Sequence, residues 1–201
     1  MKLVSESFLL LYAILRVAET FSKRPKLPGK IVYRCSLPLI VSAYVVFYLS
    51  ILADVFSNDA PISPIHVITG VALVLVSLIG RNWSIKTLGV FHSIYIEIRD
   101  RHILVEAGPY GFVRNPYYLS NLIEAFGLAL IPNSRWPLGI LCLVYLPLLI
   151  HRLITEEKAH RAKFQSSFED YRMRVPALIP NCVWDWTARS PTRKVTGQSI
   201  S

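Results

Sequence analysis

Five apolar stretches of near bilayer-crossing length alternate with polar loops along this chain, and the loops alternate in charge. The stretches run from Leu3 to Phe21, Leu37 to Ala53, Ile65 to Ile79, Tyr117 to Ile131 and Pro137 to Leu153. A helix needs about 17 to 25 largely apolar residues to cross the hydrocarbon core of a membrane. The loop after the first stretch holds Lys23, Arg24, Lys26, Lys30 and Arg34, whereas the next, Asp54 to Pro64, holds Asp54 and Asp59 and neither Lys nor Arg. Basic residues return in the third loop with Arg81, Lys86, Arg99, Arg101 and Arg114; the turn Pro132 to Trp136 has only Arg135, and the chain beyond His151 is basic again. Because positively charged loops are retained on the cytoplasmic side, this alternation predicts an outside or lumenal N-terminus and a cytoplasmic C-terminus. A bacterial inner membrane and the endoplasmic reticulum both satisfy it.

The expected fold is therefore all-α: an integral membrane bundle of about five transmembrane helices with a cytoplasmic C-terminal helical segment. At 201 residues, 53% hydrophobic and 17% charged, the composition suits one membrane domain, drawn over residues 1–188. Residues 189–201 are rich in Ser, Thr and Lys without apolar period and read as a disordered tail. Lys2 before an apolar run resembles a signal peptide, but Arg16 and Glu19 sit late in that run and no small-x-small cleavage site follows, so a retained helix is expected.

Charge and residue inventory exclude several function classes. A net charge of +9 suggests nucleic-acid binding in a soluble protein, but here the basic residues fall in alternate loops and not on one patch. Cys35, Cys142 and Cys182 lie far apart, and His66, His92, His102, His151 and His160 lack paired ligand spacing, so neither a disulfide framework nor a metal site is expected. No Gly-x-Gly-x-x-Gly motif, phosphate loop or nucleophile elbow occurs.

Local signals fill in the outline. Asn58 to Pro61 and Pro132 to Ser134 are turn-forming clusters. Pro116 suits the first turn of the fourth helix, and Pro147 falls inside the fifth, where it should disturb the hydrogen-bond ladder. Tyr44, Tyr48, Trp83, Trp136 and Tyr145 lie near span ends and read as interface anchors and packing.

Two polar motifs bracket the last apolar hairpin: Gly108-Pro109-Tyr110 with Arg114-Asn115-Pro116-Tyr117-Tyr118 before it, and Arg152 with Glu156-Glu157 after it. A hairpin that crosses twice returns both to one side, predicting a single pocket. Arg152 and Glu156 are four apart and share a helix face, while Glu157 is turned about 100° away. The two carboxylates cannot both pair with Arg152, so one is expected to face the pocket and the other to hold the arginine. The Arg114-Asn115-Pro116 stretch at a helix head places backbone N–H groups and the positive dipole end toward an anion. Glu124 falls mid-span, which is costly unless it faces a protein interior or a wet cavity. Arg16 and Glu19, three apart, suit a local pair.

Gly-Pro-Tyr, then Val-Arg-Asn-Pro-x-Tyr, an apolar hairpin, Arg-x-x-x-Glu-Glu and finally Phe168, Tyr171, Val175, Pro176, Ile179 and Pro180 together resemble the membrane methyltransferases of the isoprenylcysteine carboxyl methyltransferase and phospholipid methyltransferase superfamily. The resemblance covers residues 85–180. Asn115 stands where many members have His; it can donate and accept hydrogen bonds but cannot titrate near neutral pH. The resemblance implies S-adenosylmethionine as cofactor, held by Gly108, Tyr110, Arg114, Asn115, Pro116, Tyr118, Glu156 and Glu157, with Asn115, Glu124 and Arg152 in catalytic roles and the Glu pair on the cofactor's amino group. Carboxylates and aromatic faces suit its ammonium and sulfonium, and Arg or backbone N–H groups its carboxylate; Tyr117 adds to the aromatic set.

The reaction this implies is methyl transfer at the cytoplasmic face to an oxygen of a lipophilic acceptor taken from the bilayer, releasing S-adenosylhomocysteine. A carboxylate acceptor, as in a prenylated cysteine, needs no base; a hydroxyl does, and Glu124 or a tyrosine would supply it. The stretch Asn121 to Leu130 also resembles the subset that methylates long-chain phenolic or pyrone lipids, which is the alternative acceptor class. An NADPH-dependent membrane reductase and a non-catalytic scaffold are the readings from other classes.

Overall fold

The computed structural model describes residues 2–22, 29–57, 62–98, 103–132 and 135–179. Lys23, Arg24, Lys26, the cluster Asn58 to Pro61 with Asp59, Arg99, Arg101, His102, Asn133, Ser134, Pro180, Cys182 and the tail 189–201 lie outside the described residues.

The chain folds as α1 (Lys2–Phe21), β1 (Lys30–Tyr33), α2 (Ser36–Ser57), α3 (Pro64–Leu88), β2 (Ile96–Ile98), α4 (Pro116–Leu130), α5 (Arg135–Ile140), α6 (Leu146–Phe164) and α7 (Ser166–Arg174). It is an all-α bundle with one short ribbon. Among the described residues, three continuous helical stretches are long and apolar enough to cross a membrane: Ser36–Ser57, Pro64–Phe91 and Arg135–Phe164. The expected five spans are thus reduced to three by this measure. α1 carries Glu6, Arg16 and Glu19 within its 20 residues, and α4 has only 15 residues, about 22 Å of rise against a core of about 30 Å. α4 starts where expected, with Asn115 as N-cap and Pro116 in its first turn.

Close helix approach sets the bundle's centre. α3 crosses α4 at Gly70 and Gly127, where a Cβ on Gly70 would lie 2.5 Å from the Gly127 carbonyl oxygen and one on Gly127 would lie 2.7 Å from that of Gly70. Small residues let backbones meet in this way, and in lipid such packing replaces the hydrophobic drive. Leu9, Phe47, Ile51, Val74, Leu128 and Leu141 fill the core around the crossing. Leu10, Leu11 and Ile14 of α1 and Val46 and Phe56 of α2 remain outward and exposed, as apolar side chains facing lipid would.

Pro147 disturbs its helix by a π turn. Leu141–Tyr145 is π-helical between α5 and α6, and the Leu146 N–H donates to the Leu141 carbonyl. Proline has no N–H for the carbonyl of Leu143 and its ring crowds that group, which a widened turn relieves.

The ribbon β1–β2 has no counterpart in the sequence reading. It is antiparallel, pairing Lys30 with Ile98, Ile31 with Glu97 and Tyr33 with Ile96, with an irregularity between Ile31 and Tyr33. It joins the basic loop after α1 to the loop before α4 at one end of the bundle.

Candidate functional site

A cavity of about 580 Å³ opens at that end, lined by α1, α2, α4, α6 and the segment around β2. Helical spacing sets the wall: Ala13, Arg16, Val17 and Thr20 from α1, and Leu37, Ile40, Val41, Tyr44 and Tyr48 from α2 all line it. Each set recurs at three- and four-residue intervals, one face of a helix.

The two motifs meet here. The Tyr118 hydroxyl donates to Glu156 and accepts from Arg152 Nε at 3.0 Å. Arg152, buried, also donates from Nη1 to Ser36 Oγ at 2.9 Å and from Nη2 to the Ile94 carbonyl at 2.5 Å. It therefore ties α6 to α2, α4 and the segment before β2. Glu156 lines the cavity. Its neighbour Glu157 turns to Arg114, accepting from Nε at 3.0 Å, and to Asn115 Nδ2 at 2.9 Å. The two carboxylates turn different ways, but the arginine held by Glu157 is Arg114 and not the expected Arg152, whose link to Glu156 runs through Tyr118.

Arg114 is a structural hub. Its Nη1 donates to the Arg172 carbonyl at 3.0 Å and the Val175 carbonyl at 2.5 Å, closing the end of α7. The backbone N–H groups of Arg114 and Asn115 donate to the carbonyls of Pro176 and Ala177 at 2.8 and 3.1 Å, so these two donors are used by the C-terminal segment. Asn115 and Arg114 also line the cavity; Pro116 is buried beneath them.

Gly108 and Tyr110 divide similarly. Gly108 has φ of +57°, and a Cβ there would lie 2.9 Å from Thr87 Oγ1 and 3.2 Å from Trp83 Nε1 of α3, so glycine answers both a backbone and a packing demand. Tyr110 lines the cavity. Its carbonyl accepts from the Tyr171 hydroxyl at 2.6 Å, whereas its own hydroxyl is buried with no partner among the described residues. Burial, then the nearby Glu156 carboxylate, hold the Tyr110 phenol above its ordinary value, so it keeps its proton.

Glu124 is wholly buried on α4 behind the cavity wall. It accepts from Arg81, lies 3.2 Å from Arg16 Nε and accepts from the Tyr44 hydroxyl at 2.7 Å. Glu19 completes the cluster, 2.6 Å from Arg81 Nη2 and 3.2 Å from Arg16 Nη1. The expected Arg16–Glu19 pair is present, extended into a charge-balanced set of two arginines and two glutamates that joins α1, α3 and α4. Buried charges persist in this form because each has a counter-charge.

Several cavity residues escape sequence reasoning. Tyr44, Tyr48 and Tyr145, expected as interface anchors, line the cavity instead; Tyr48 also ties α2 to α1 through a 2.5 Å bond to the Leu9 carbonyl. Trp136 and Trp83 do stand exposed at 79% and 49%. Arg16, Asn121, His92 and His160 are further lining residues. The Ala13–Arg16–Thr20 spacing was the available signal for Arg16.

The family model for phospholipid methyltransferases matches residues 65–167, which covers α3 to α6. The cobalt-zinc-cadmium resistance protein CzcN of Cupriavidus metallidurans is 29% identical over 119 residues, 59% of this chain and 51% of that protein. The chain therefore spans about half the length of that relative. The Bacillus subtilis protein YpbQ is 28% identical over 149 residues, 73% of this chain and 88% of its own. A protein-S-isoprenylcysteine O-methyltransferase of Schizosaccharomyces pombe is 34% identical over 89 residues, 44% of this chain and 38% of that enzyme.

Proposed function

Starting from the fact that the chain belongs to the phospholipid methyltransferase family, we propose that it transfers a methyl group from S-adenosylmethionine to an oxygen of a lipophilic acceptor at the cytoplasmic face of a membrane. The observation that carries this reading is one cavity lined by Glu156, by Tyr110, whose hydroxyl has no partner among the described residues, and by an apolar wall from α1 and α2.

The donor set fits such a cofactor. Glu156 suits its ammonium, the rings of Tyr110, Tyr117 and Tyr118 suit a sulfonium, and the Tyr110 hydroxyl needs an acceptor. When bound, the sulfonium supplies an electrophilic methyl carbon and its own leaving group. The protein's part is then alignment and exclusion of water. Arg152 fixes Tyr118, Tyr118 fixes Glu156, and Glu157 with Arg114 and Asn115 fixes the helix head that carries Tyr118.

A carboxylate acceptor accords best with this arrangement, because it requires no base. Glu124 would be the base for a hydroxyl, yet it sits behind the wall with two arginines and Tyr44 around it. The ribbon, Arg114 and Arg152 lie at one end, in the stretches whose sequence is basic, which supports a cytoplasmic mouth by the charge rule.

Thermal unfolding of the purified, detergent-solubilised chain tests the cofactor. S-adenosylhomocysteine at about 100 times its Kd should stabilise the protein by about 2.7 kcal/mol, and NADPH should not. Stabilisation by NADPH alone would overturn the proposal in favour of a reductase; no shift with either would favour a scaffold.

A further inference from the structure

The cavity has a second polar end that the donor does not use. On the side walled by α1 and α2 the polar lining comes from Arg16, Thr20, Tyr44 and Asn121. Two of these offer unused donors. Arg16 has five N–H bonds, of which two are directed to Glu19 and Asn121 Oδ1, while its Nε lies 3.2 Å from Glu124 as an ion pair. Asn121 is 7% exposed, and because its Oδ1 accepts from Arg16 Nη2 at 3.2 Å, its amide is oriented with Nδ2 as the remaining donor. Tyr44 is different: its proton is committed to Glu124 at 2.7 Å, and its ring lies 5.8 Å from the Arg16 guanidinium.

The charge balance of the buried cluster is uneven in space. Arg16 lines the cavity, whereas its counter-ions Glu19 and Glu124 do not. The cavity therefore meets the cationic side of a neutral set, with the acidic groups behind it. Alongside, Val17, Val45 and Leu49 line the same space and are 57%, 46% and 56% exposed, so the wall between α1 and α2 offers an open apolar track. An apolar track ending at a guanidinium and an amide N–H is the complement of a hydrocarbon chain that ends in a carboxylate.

We propose that Arg16 and Asn121 bind the carboxylate of the lipophilic acceptor, with its hydrocarbon lying along α1 and α2, and so set acceptor specificity. This rests on the methyl-transfer reading and deepens it. Arg16 lies outside residues 65–167 matched by the family model and Asn121 inside them, so the seat joins α1 to a helix of the matched region. The Glu156, Tyr110 and Tyr118 end is left to the methyl donor.

The test uses the full chain in lipid nanodiscs with two probes, N-acetyl-S-farnesylcysteine as the free acid and its neutral carboxamide. Wild type should bind the acid about tenfold or more tightly than the amide, the effect expected of one charge-assisted hydrogen bond. Asn121→Ala should cut that preference to about threefold or less, and Arg16→Lys, which keeps the charge beside Glu19 and Glu124 but not the planar fork, should do the same. S-adenosylhomocysteine affinity should stay within about twofold in both, since among the described residues no hydrogen bond joins Arg16 or Asn121 to Glu156, Tyr110 or Tyr118. Equal binding of the two probes by wild type, no binding of either, or a preference that survives in both variants would overturn the proposal. Parallel loss of S-adenosylhomocysteine binding would overturn it too, by moving the two residues to the donor. A wild type that prefers the acid yet is not stabilised by S-adenosylhomocysteine would instead refute methyl transfer and leave the carboxylate seat standing.

Discussion

Replacing the two adjacent glutamates one at a time separates ligand binding from architecture. Glu157→Ala removes the acceptor of Arg114 Nε at 3.0 Å and Asn115 Nδ2 at 2.9 Å, in a pair whose side chains are only 8% and 17% exposed. A fully exposed pair contributes up to about 1 kcal/mol, and breaking a fully buried one costs about 3 to 5 kcal/mol. This mostly buried pair, with Arg114 still bonded to the Arg172 and Val175 carbonyls, should cost about 2 to 3 kcal/mol. For a chain of this size that lowers the unfolding midpoint by about 4 to 12 °C. Glu156→Ala removes the acceptor of the Tyr118 hydroxyl, whose other partner, Arg152, is itself a donor; at the cavity wall solvent can accept that proton instead, so stability should change by about 1 kcal/mol. If Glu156 holds the ligand's ammonium, its loss removes about 1.5 to 3 kcal/mol of binding, about 10- to 150-fold in Kd. Differential scanning fluorimetry and calorimetric titration with S-adenosylhomocysteine read the two effects separately. Equal losses of affinity in the two variants, or full affinity in Glu156→Ala, would refute the assignment.

Two further substitutions probe the frame. Glu124→Gln leaves Arg81 and Arg16 sharing one carboxylate, that of Glu19, in a buried cluster; it should cost about 3 to 5 kcal/mol while the folded fraction still binds S-adenosylhomocysteine. A variant of wild-type stability with turnover abolished would return Glu124 to the chemistry and the acceptor to a hydroxyl. Gly127→Ala places a Cβ 2.7 Å from the Gly70 carbonyl oxygen and 2.9 Å from Leu73 Cβ, so α3 and α4 must part, at about 1 to 3 kcal/mol. An unchanged unfolding midpoint would show that the crossing tolerates separation.

The sequence by itself determined the class of fold and which segments meet. Hydrophobic length and loop charge follow from the bilayer's thickness and from charge retention, which act on the chain locally, so the helices and the return of Asn115 and Glu156 to one end were legible. The helical geometry of adjacent residues likewise required Glu156 and Glu157 to face different ways. What it could not determine is which partner each side chain takes. Arg114 rather than Arg152 holds Glu157, Glu124 joins Arg81 from 43 residues away, and Tyr44 faces a cavity because α1, α2 and α4 converge on it. The short strands β1 and β2 were equally hidden, since three or four residues in a loop pair only when the bundle brings them together. Such contacts depend on helix rotation and crossing, fixed here by the Gly70–Gly127 approach and the π turn before Pro147. Those are properties of how helices pack on one another, and no local period in the chain encodes them.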